Sequence, residues 1–414
     1  MSERVIVYLH TDVTLKCKYM KKFLAISTMI ACSLTTVGAQ ENNGYVFTPV
    51  KELKITPVQN QNRSGTCWCF STLGFIESEL IRMGKGEHNL SEMFVVNHTY
   101  RDKAEKYVRL HGNMEFAQGG AFDDVIYAIK HYGIVPESVM PGLEYGEDIH
   151  VHGEMDAAMR GYVDAIIKNK NSKLSTSWKK GFAGIADAYL GALPTTFNYE
   201  GKEYTPLSFA KELGINADDY VSLTSYSHHP FYSVFPIEVQ DNWRWSGSYN
   251  LPIDELMEVF DNAIHTGYTI AWASDVSEIG FTRNGVGVAP DIKAIETAGS
   301  DQDHWVGLSA TEKNAEIRKR VEQPGVQEVT VTQEMRQEAF DNYQTTDDHG
   351  MQIFGIAKDQ NGKKFYMVKN SWGTDSKYQG IWYVSETFAK YKTMDIIVHK
   401  DALPKAIKNK LGIK

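Results

Sequence analysis

The chain has 414 residues, 42% of them hydrophobic and 12% aromatic, which is enough to bury a large core as one big domain or two lobes and excludes disorder as its main state. A formal net charge of -9 argues against a nucleic-acid partner held by overall charge.

Residues 1–19 have no targeting character and read as an upstream extension, with the functional start at Met20. From there "MKKFLAISTMIACSLTTVGAQ" carries two lysines, an apolar stretch from Phe23 to about Val37 and small residues before Gln40. That is the build of a secretory signal cleaved after Ala39, which predicts export to the periplasm or the medium. Cys32 is a weaker candidate for lipid attachment, because Met29 stands where leucine is usual. No later apolar run is long enough to span a bilayer, so no transmembrane anchor is expected in the mature chain. Cys17 and Cys32 leave with the leader, and the remaining Cys67 and Cys69 give no disulfide framework.

The mature chain opens on a polar segment and reaches "ITPVQNQNRSGT", rich in turn residues. Phe70, Leu73, Ile76 and Leu80 then keep the spacing of one helical face until "GKG" at 84–86, with Thr66 as N-cap and Cys67 in the first turn. The stretch from about 92 to 260 reads as mainly helical with loops, followed by a buried strand, "YTIAWASDV". Residues 311–340 read as a solvated helix and surface loop. "GMQIFGIAKDQNGKKFYMVKNSW" gives two strands around the turn "DQNG". A loop at 359–362 makes partner numbers sum to about 721, which sets His349 opposite Trp372 and near Asn370.

A thiol attacks as the thiolate, which a helix N-terminus and a histidine stabilise. Cys67 is at such an end, while Cys69, about 200° round the helix, faces the core if Cys67 faces a cleft. His349 can pair with the thiol, the Asn370 carboxamide can hold the imidazole, and Gln61 with the Cys67 backbone N–H can bind an oxyanion. A Cys67-x-Cys69 metal site has no further ligands nearby. His304 in "DQDHWVGL" lacks a partner strand, and His228 and His229 in "SYSHHPF" read as a loop. Asp275 is open between the cleft and a turn role, and Asp347 and Asp348 between raising the basicity of His349 and simple solvation.

"QNRSGTCWCFS", "DHGMQIFGI" and "KNSWGT" together resemble the active-site motifs of papain-like cysteine peptidases. The resemblance implies Cys67 as nucleophile, Gln61 as oxyanion donor, His349 as base, Asn370 as its orienter and Trp372 as the indole shielding that asparagine. "LSEMFVVNH", "QGGAFDDVIYAIKHYGIVPESVMP" and "LPIDELMEVF" are similar to the branch of bleomycin hydrolase and aminopeptidase C, over roughly residues 55 to 400. Gly119 and Gly120 match the glycines beside which a substrate backbone runs, with Trp68 and Trp372 as further substrate-side residues.

The implied fold is α+β: a helical lobe carrying Cys67 and an antiparallel, barrel-like β lobe carrying His349 and Asn370. Large helical insertions would fall at about 100–250, within a catalytic domain of 40–400 followed by a tail of 401–414. The implied reaction is peptide hydrolysis through a thioester, on peptide or protein substrates and without metal or organic cofactor. Acyl transfer to an amine and a silent peptide-binding cleft are the rivals. The branch forms hexamers, so a homo-oligomer is a further expectation. Its C-terminal arm returns a carboxylate to the cleft to hold the substrate amine. This sequence stops ten residues after Pro404, which leaves aminopeptidase and endopeptidase action both open.

Overall fold

The computed structural model describes residues 44–170, 173–297, 305 and 307–414. The proposed leader, Cys32 and His304 lie outside the described residues.

Helix α1, Cys67–Arg82, is buried from Trp68 to Leu80 on every side, so its polar residues need internal partners. Ser71 and Thr72 donate back to the carbonyls of Cys67 and Trp68, both at 2.7 Å, and Ser78 donates to that of Gly74 at 3.0 Å. The expected apolar face is present, but the opposite face is buried as well. Thr66 departs from expectation: its hydroxyl caps nothing and instead meets Ser64 Oγ at 2.6 Å, while its carbonyl accepts the Cys69 and Phe70 amides.

Around α1 pack α2 (Glu92–Arg109), α3 (Phe122–Tyr132), α4 (Gly153–Ile167), α5 (Ser177–Leu190) and α6 (Pro206–Leu213). They share a core that includes Phe75, Phe94, Phe116 and Phe182. Helix α7, Ile253–Thr266, belongs to the second lobe, where Leu256 and Phe260 pack with Trp272, Ile353, Tyr366 and Trp382.

The second lobe is built on one ten-stranded sheet. Its strands are β1 (Thr48–Glu52), β4 (Tyr220–Thr224), β5 (Val234–Pro236), β6 (Gly247–Asn250), β7 (Ile270–Ser274), β8 (Val286–Gly287), β9 (His349–Lys358), β10 (Lys364–Lys369), β11 (Ile381–Ser385) and β12 (Thr393–His399). The short hairpin of β2 (Phe197–Tyr199) and β3 (Lys202–Tyr204) stands apart. The order is β5-β6-β4-β12-β7-β9-β10-β11-β8, with β1 also on β9. All pairs are antiparallel except β4 with β6 and β8 with β11. The α+β architecture expected from the sequence is therefore present.

The stretch from 92 to 260 is not only helical, because it supplies β2 to β6, and three of these strands enter the main sheet. These strands are three to five residues long and lack an apolar run, so tertiary pairing decides them. The charged segment after 310 forms α9 (Ala310–Val321) and α10 (Gln333–Asp341), with the short α8 (Ile292–Thr297) before it. It is not wholly solvated: Arg336 is 1% exposed, and its guanidinium donates to the carbonyls of Ser225, Tyr391 and Thr393. Helix α11 (Glu386–Lys392) follows β11, and α12 (Lys405–Lys410) sets Ile407 against the α7 side of the core.

Strand β9 positions the site. It is buried from His349 to Ala357, pairs first with β7 and then with β1 on one side, and pairs with β10 on the other. Near the turn its partners follow Lys358 with Lys364, but a bulge past Phe354 changes the register so that Ile353 faces Val368. That shift brings the hairpin into the expected register where it reaches the histidine.

Candidate active site

Cys67 opens α1 and lines a cleft together with Trp68, Gly120, Phe122, His349 and Gly350. Cys69 is fully buried, with its sulfur 3.5 Å from the Glu92 carbonyl, as the helical phase requires. The first amides of a helix lack carbonyl partners within it and present positive charge at Cys67.

His349 is the first residue of β9, and Asn370 follows the last residue of β10. His349 Nε2 is 2.7 Å from Asn370 Oδ1, which also accepts the Ser371 N–H at 2.8 Å. A backbone N–H can only donate, so this end of the carboxamide is the oxygen and His349 Nε2 carries the proton. The lone pair is then on Nδ1. Trp372 stacks on the imidazole with centroids 4.5 Å apart and is itself held edge-on by Trp382. It covers the histidine ring.

Gln61 lies in the loop before α1, outside the cleft lining. Ser371 Oγ donates to its Oε1 at 2.6 Å, and its Nε2 donates one hydrogen to the Ser64 carbonyl at 2.7 Å, which leaves a second N–H. Of the two glycines expected beside the substrate, Gly120 lines the cleft and Gly119 does not, and both are approached closely by side chains. A Cβ on Gly119 would stand 2.1 Å from Asp241 Oδ1, and one on Gly120 would stand 2.9 Å from the Trp68 ring. Trp68 is 3% exposed and donates to the Gln118 carbonyl at 3.1 Å, so it forms the cleft floor under Gly120.

Burial pushes the Cys67 thiol up to about 12, opposed by the Gly350 and Trp68 amides and reinforced by Asp241 and Asp347. Burial pushes His349 down to about 4, against the pull of its Asn370 bond. Each group alone favours its neutral form. Burial therefore favours the neutral thiol and imidazole over the expected ion pair.

The largest surprise is the charge of the cleft, which Asp123, Asp241, Asp347, Asp348 and Asp395 all line. Burial is the main cause that raises Asp123 to about 8 and Asp241, Asp348 and Asp395 each to about 6, and that lifts Asp347 well above the usual range. Asp348 accepts the Val276 and Ser277 amides at 2.8 and 3.1 Å, and Asp395 accepts Ser222 Oγ at 3.2 Å. Asp123, Asp241 and Asp347 have no hydrogen-bond or ion-pair partner among the described residues. The nearby buried Lys103 donates to the Ala117 and Gly119 carbonyls instead. Asp275 takes its turn role, binding Ser277 and the Thr346 amide away from the cleft. Only Asp347 and Asp348 stood out in the sequence. Asp395 had a readable signal, a charge inside the apolar run of β12, while Asp241 had none.

A fold that sets a cysteine at a helix N-terminus against a histidine and asparagine on an antiparallel hairpin defines a cysteine peptidase. The family described as "Papain family cysteine protease" matches residues 47–179, and that described as "Peptidase C1-like family" matches residues 322–413. Aminopeptidase G of Lactobacillus delbrueckii subsp. lactis is 24% identical over 400 residues, covering 86% of this chain and 83% of its own. Aminopeptidase C of Streptococcus thermophilus is 24% identical over 418 residues and bleomycin hydrolase of Mus musculus 24% over 428, each covering 90% of this chain and 86% of the relative. The crystal structure of PepW from Lactobacillus rhamnosis HN001 shares the fold at a TM-score of 0.66 and 20% identity, covering 88% of this chain and 84% of that one. The two family matches and these relatives support a papain-like cysteine peptidase of the aminopeptidase C and bleomycin hydrolase type.

Proposed function

We propose that the chain removes residues from the amino end of peptides through a Cys67 thioester, with the substrate ammonium received by the cleft carboxylates. The observation that carries this reading is the group Asp123, Asp241 and Asp347, partly buried beside Cys67 and His349, with no ion pair among the described residues and only the field of Lys103 acting on Asp241. Such carboxylates are stabilised when a positive charge joins them. The relatives named aminopeptidases support the same direction.

Cys67 Sγ attacks the carbonyl carbon as its proton passes to His349 Nδ1, the ring atom left free by the Asn370 bond. The Cys67 N–H and the second Gln61 N–H bind the oxyanion that forms. His349 returns the proton to the leaving amine as the C–N bond breaks, and a water activated by the same nitrogen then releases the acyl group from sulfur. Charge separation is transient, which suits a cleft where neither ion is stable alone.

The test compares two fluorogenic peptides that differ only in a free or acetylated amino end, each with a Cys67→Ala control. The reading expects at least tenfold faster turnover of the free-amine peptide. Equal or faster cutting of the blocked peptide contradicts it and makes the enzyme an endopeptidase. Export is proposed from residues 20–39 alone. A mature amino end at Gln40 supports it, and retention of Met20 on the native chain refutes it.

A further inference from the structure

The loop between β4 and β5 carries His228 and His229, and the chain beyond β5 carries Glu238. His228 Nε2 lies 3.1 Å from Glu238 Oε2, and His229 Nε2 lies 3.0 Å from Glu238 Oε1. Ligand atoms of the three residues all fall within 4.8 Å of one another. All three reach solvent, so an ion could enter.

Gln337 decides where the protons are. Its Oε1 accepts the Ser227 amide at 2.6 Å and the His228 amide at 3.2 Å, while its Nε2 donates to Asp341 Oδ1 at 2.8 Å, so the carboxamide has one orientation. His228 Nδ1 sits 3.2 Å from that same oxygen and must donate to it. A neutral His228 therefore turns the bare lone pair of Nε2 toward a carboxylate oxygen. Two acceptors at that distance repel unless a cation joins them.

We propose that His228 Nε2, His229 Nε2 and the Glu238 carboxylate bind a divalent transition-metal ion of the zinc type. Two imidazoles and a carboxylate suit zinc, with the fourth tetrahedral position left to water. Metal–ligand bonds of about 2.0–2.1 Å set neighbouring ligand atoms about 3.3 Å apart, so each histidine shifts slightly from the carboxylate oxygen it now meets while the three ligand atoms, within 4.8 Å of one another, draw round one ion. Gln337 is the outer partner that fixes the tautomer of a metal-bound histidine. The scaffold is also firm, because Asn250 Nδ2 donates to the carbonyls of Tyr226 and His229 at 2.7 and 3.0 Å. Glu238 sits between Ile237 and Val239, which line the catalytic cleft, so the ion clips one cleft wall to the loop. This site is separate from the dyad and does not depend on which end of a peptide the enzyme cuts.

The test uses the full chain with Cys67→Ala, which removes the cleft thiol as a rival ligand. After chelator treatment it is titrated with zinc chloride against a chromophoric chelator. One saturable zinc per chain is expected, together with a rise in unfolding temperature. Glu238→Gln and His229→Ala in the same background should each weaken binding at least tenfold and abolish that rise, with circular dichroism showing that both remain folded. Absence of saturable binding, or binding unchanged in both variants, overturns the proposal, the cation then being a proton on a histidine.

Discussion

Ser371 donates its hydroxyl to Gln61 Oε1 at 2.6 Å, and the same residue's backbone N–H holds Asn370 Oδ1 at 2.8 Å. One serine thus ties the side chain proposed to bind the oxyanion to the carboxamide that holds the His349 ring. Ser371→Ala removes this hold on Gln61, which keeps its bond to the Ser64 carbonyl, and leaves the Asn370 contact intact. It should lower kcat about tenfold, on the order of 1.4 kcal/mol of transition-state stabilisation. Steady-state kinetics and the rate of Cys67 alkylation, the latter little changed, check this.

Asn370→Ala removes the acceptor that keeps the proton on His349 Nε2. Both tautomers then become accessible, and turnover should fall by about 10²-fold with the fold retained. Trp372→Ala exposes the ring of His349 to water and should cost about tenfold. Near-ultraviolet circular dichroism separates these losses from unfolding.

The cleft carboxylates set the acid limb. Asp241, Asp348 and Asp395 are raised to about 6 and Asp123 to about 8, chiefly by burial. Each gains a proton and loses its negative charge as pH falls through its raised value. KM for a free-amine peptide should therefore rise as pH falls from about 8 to 5, while KM for an acetylated peptide stays flat. The same shifts mean that holding these groups in the folded cleft costs stability at neutral pH, whether they ionise there or, like Asp123, take up a proton. Asp123→Asn should raise stability by about 1 kcal/mol while weakening binding of the free amine, read by thermal unfolding and KM together.

Gly119→Ala is a test of packing rather than substrate access. The new methyl would meet Asp241 Oδ1 at 2.1 Å, so the carboxylate must move away. Stability should fall by about 1–3 kcal/mol, and KM for the free-amine peptide should rise severalfold. Asp241→Ala in the same chain relieves the clash and should restore the stability but not the KM.

The turn before α1 and the strands of the hairpin were legible because local chemistry dictates them: a cysteine opening a helix, and two apolar runs around a short turn. Even so, the register at His349 came out as expected only through the bulge past Phe354, which no residue pattern announced. Strands β4 to β6 were hidden because they are short and become strands by pairing with β12 and with each other. The acidic cleft was hidden for a related reason. Asp123, Asp241 and Asp395 are far apart in sequence and meet only once α3 and β12 are in place. Arg336 was read as a surface charge because a buried guanidinium satisfied by carbonyls has the same local sequence as a solvated one.

The central claim is that Cys67, and not its neighbour two residues on, is the nucleophile. It is tested most directly by treating wild type, Cys67→Ala and Cys69→Ala with a peptidyl epoxide, then recording intact mass and turnover. One adduct in wild type and Cys69→Ala, with turnover that is full before treatment and lost after it, and neither adduct nor turnover in Cys67→Ala, is the predicted result. Labelling and turnover that persist in Cys67→Ala would contradict the account.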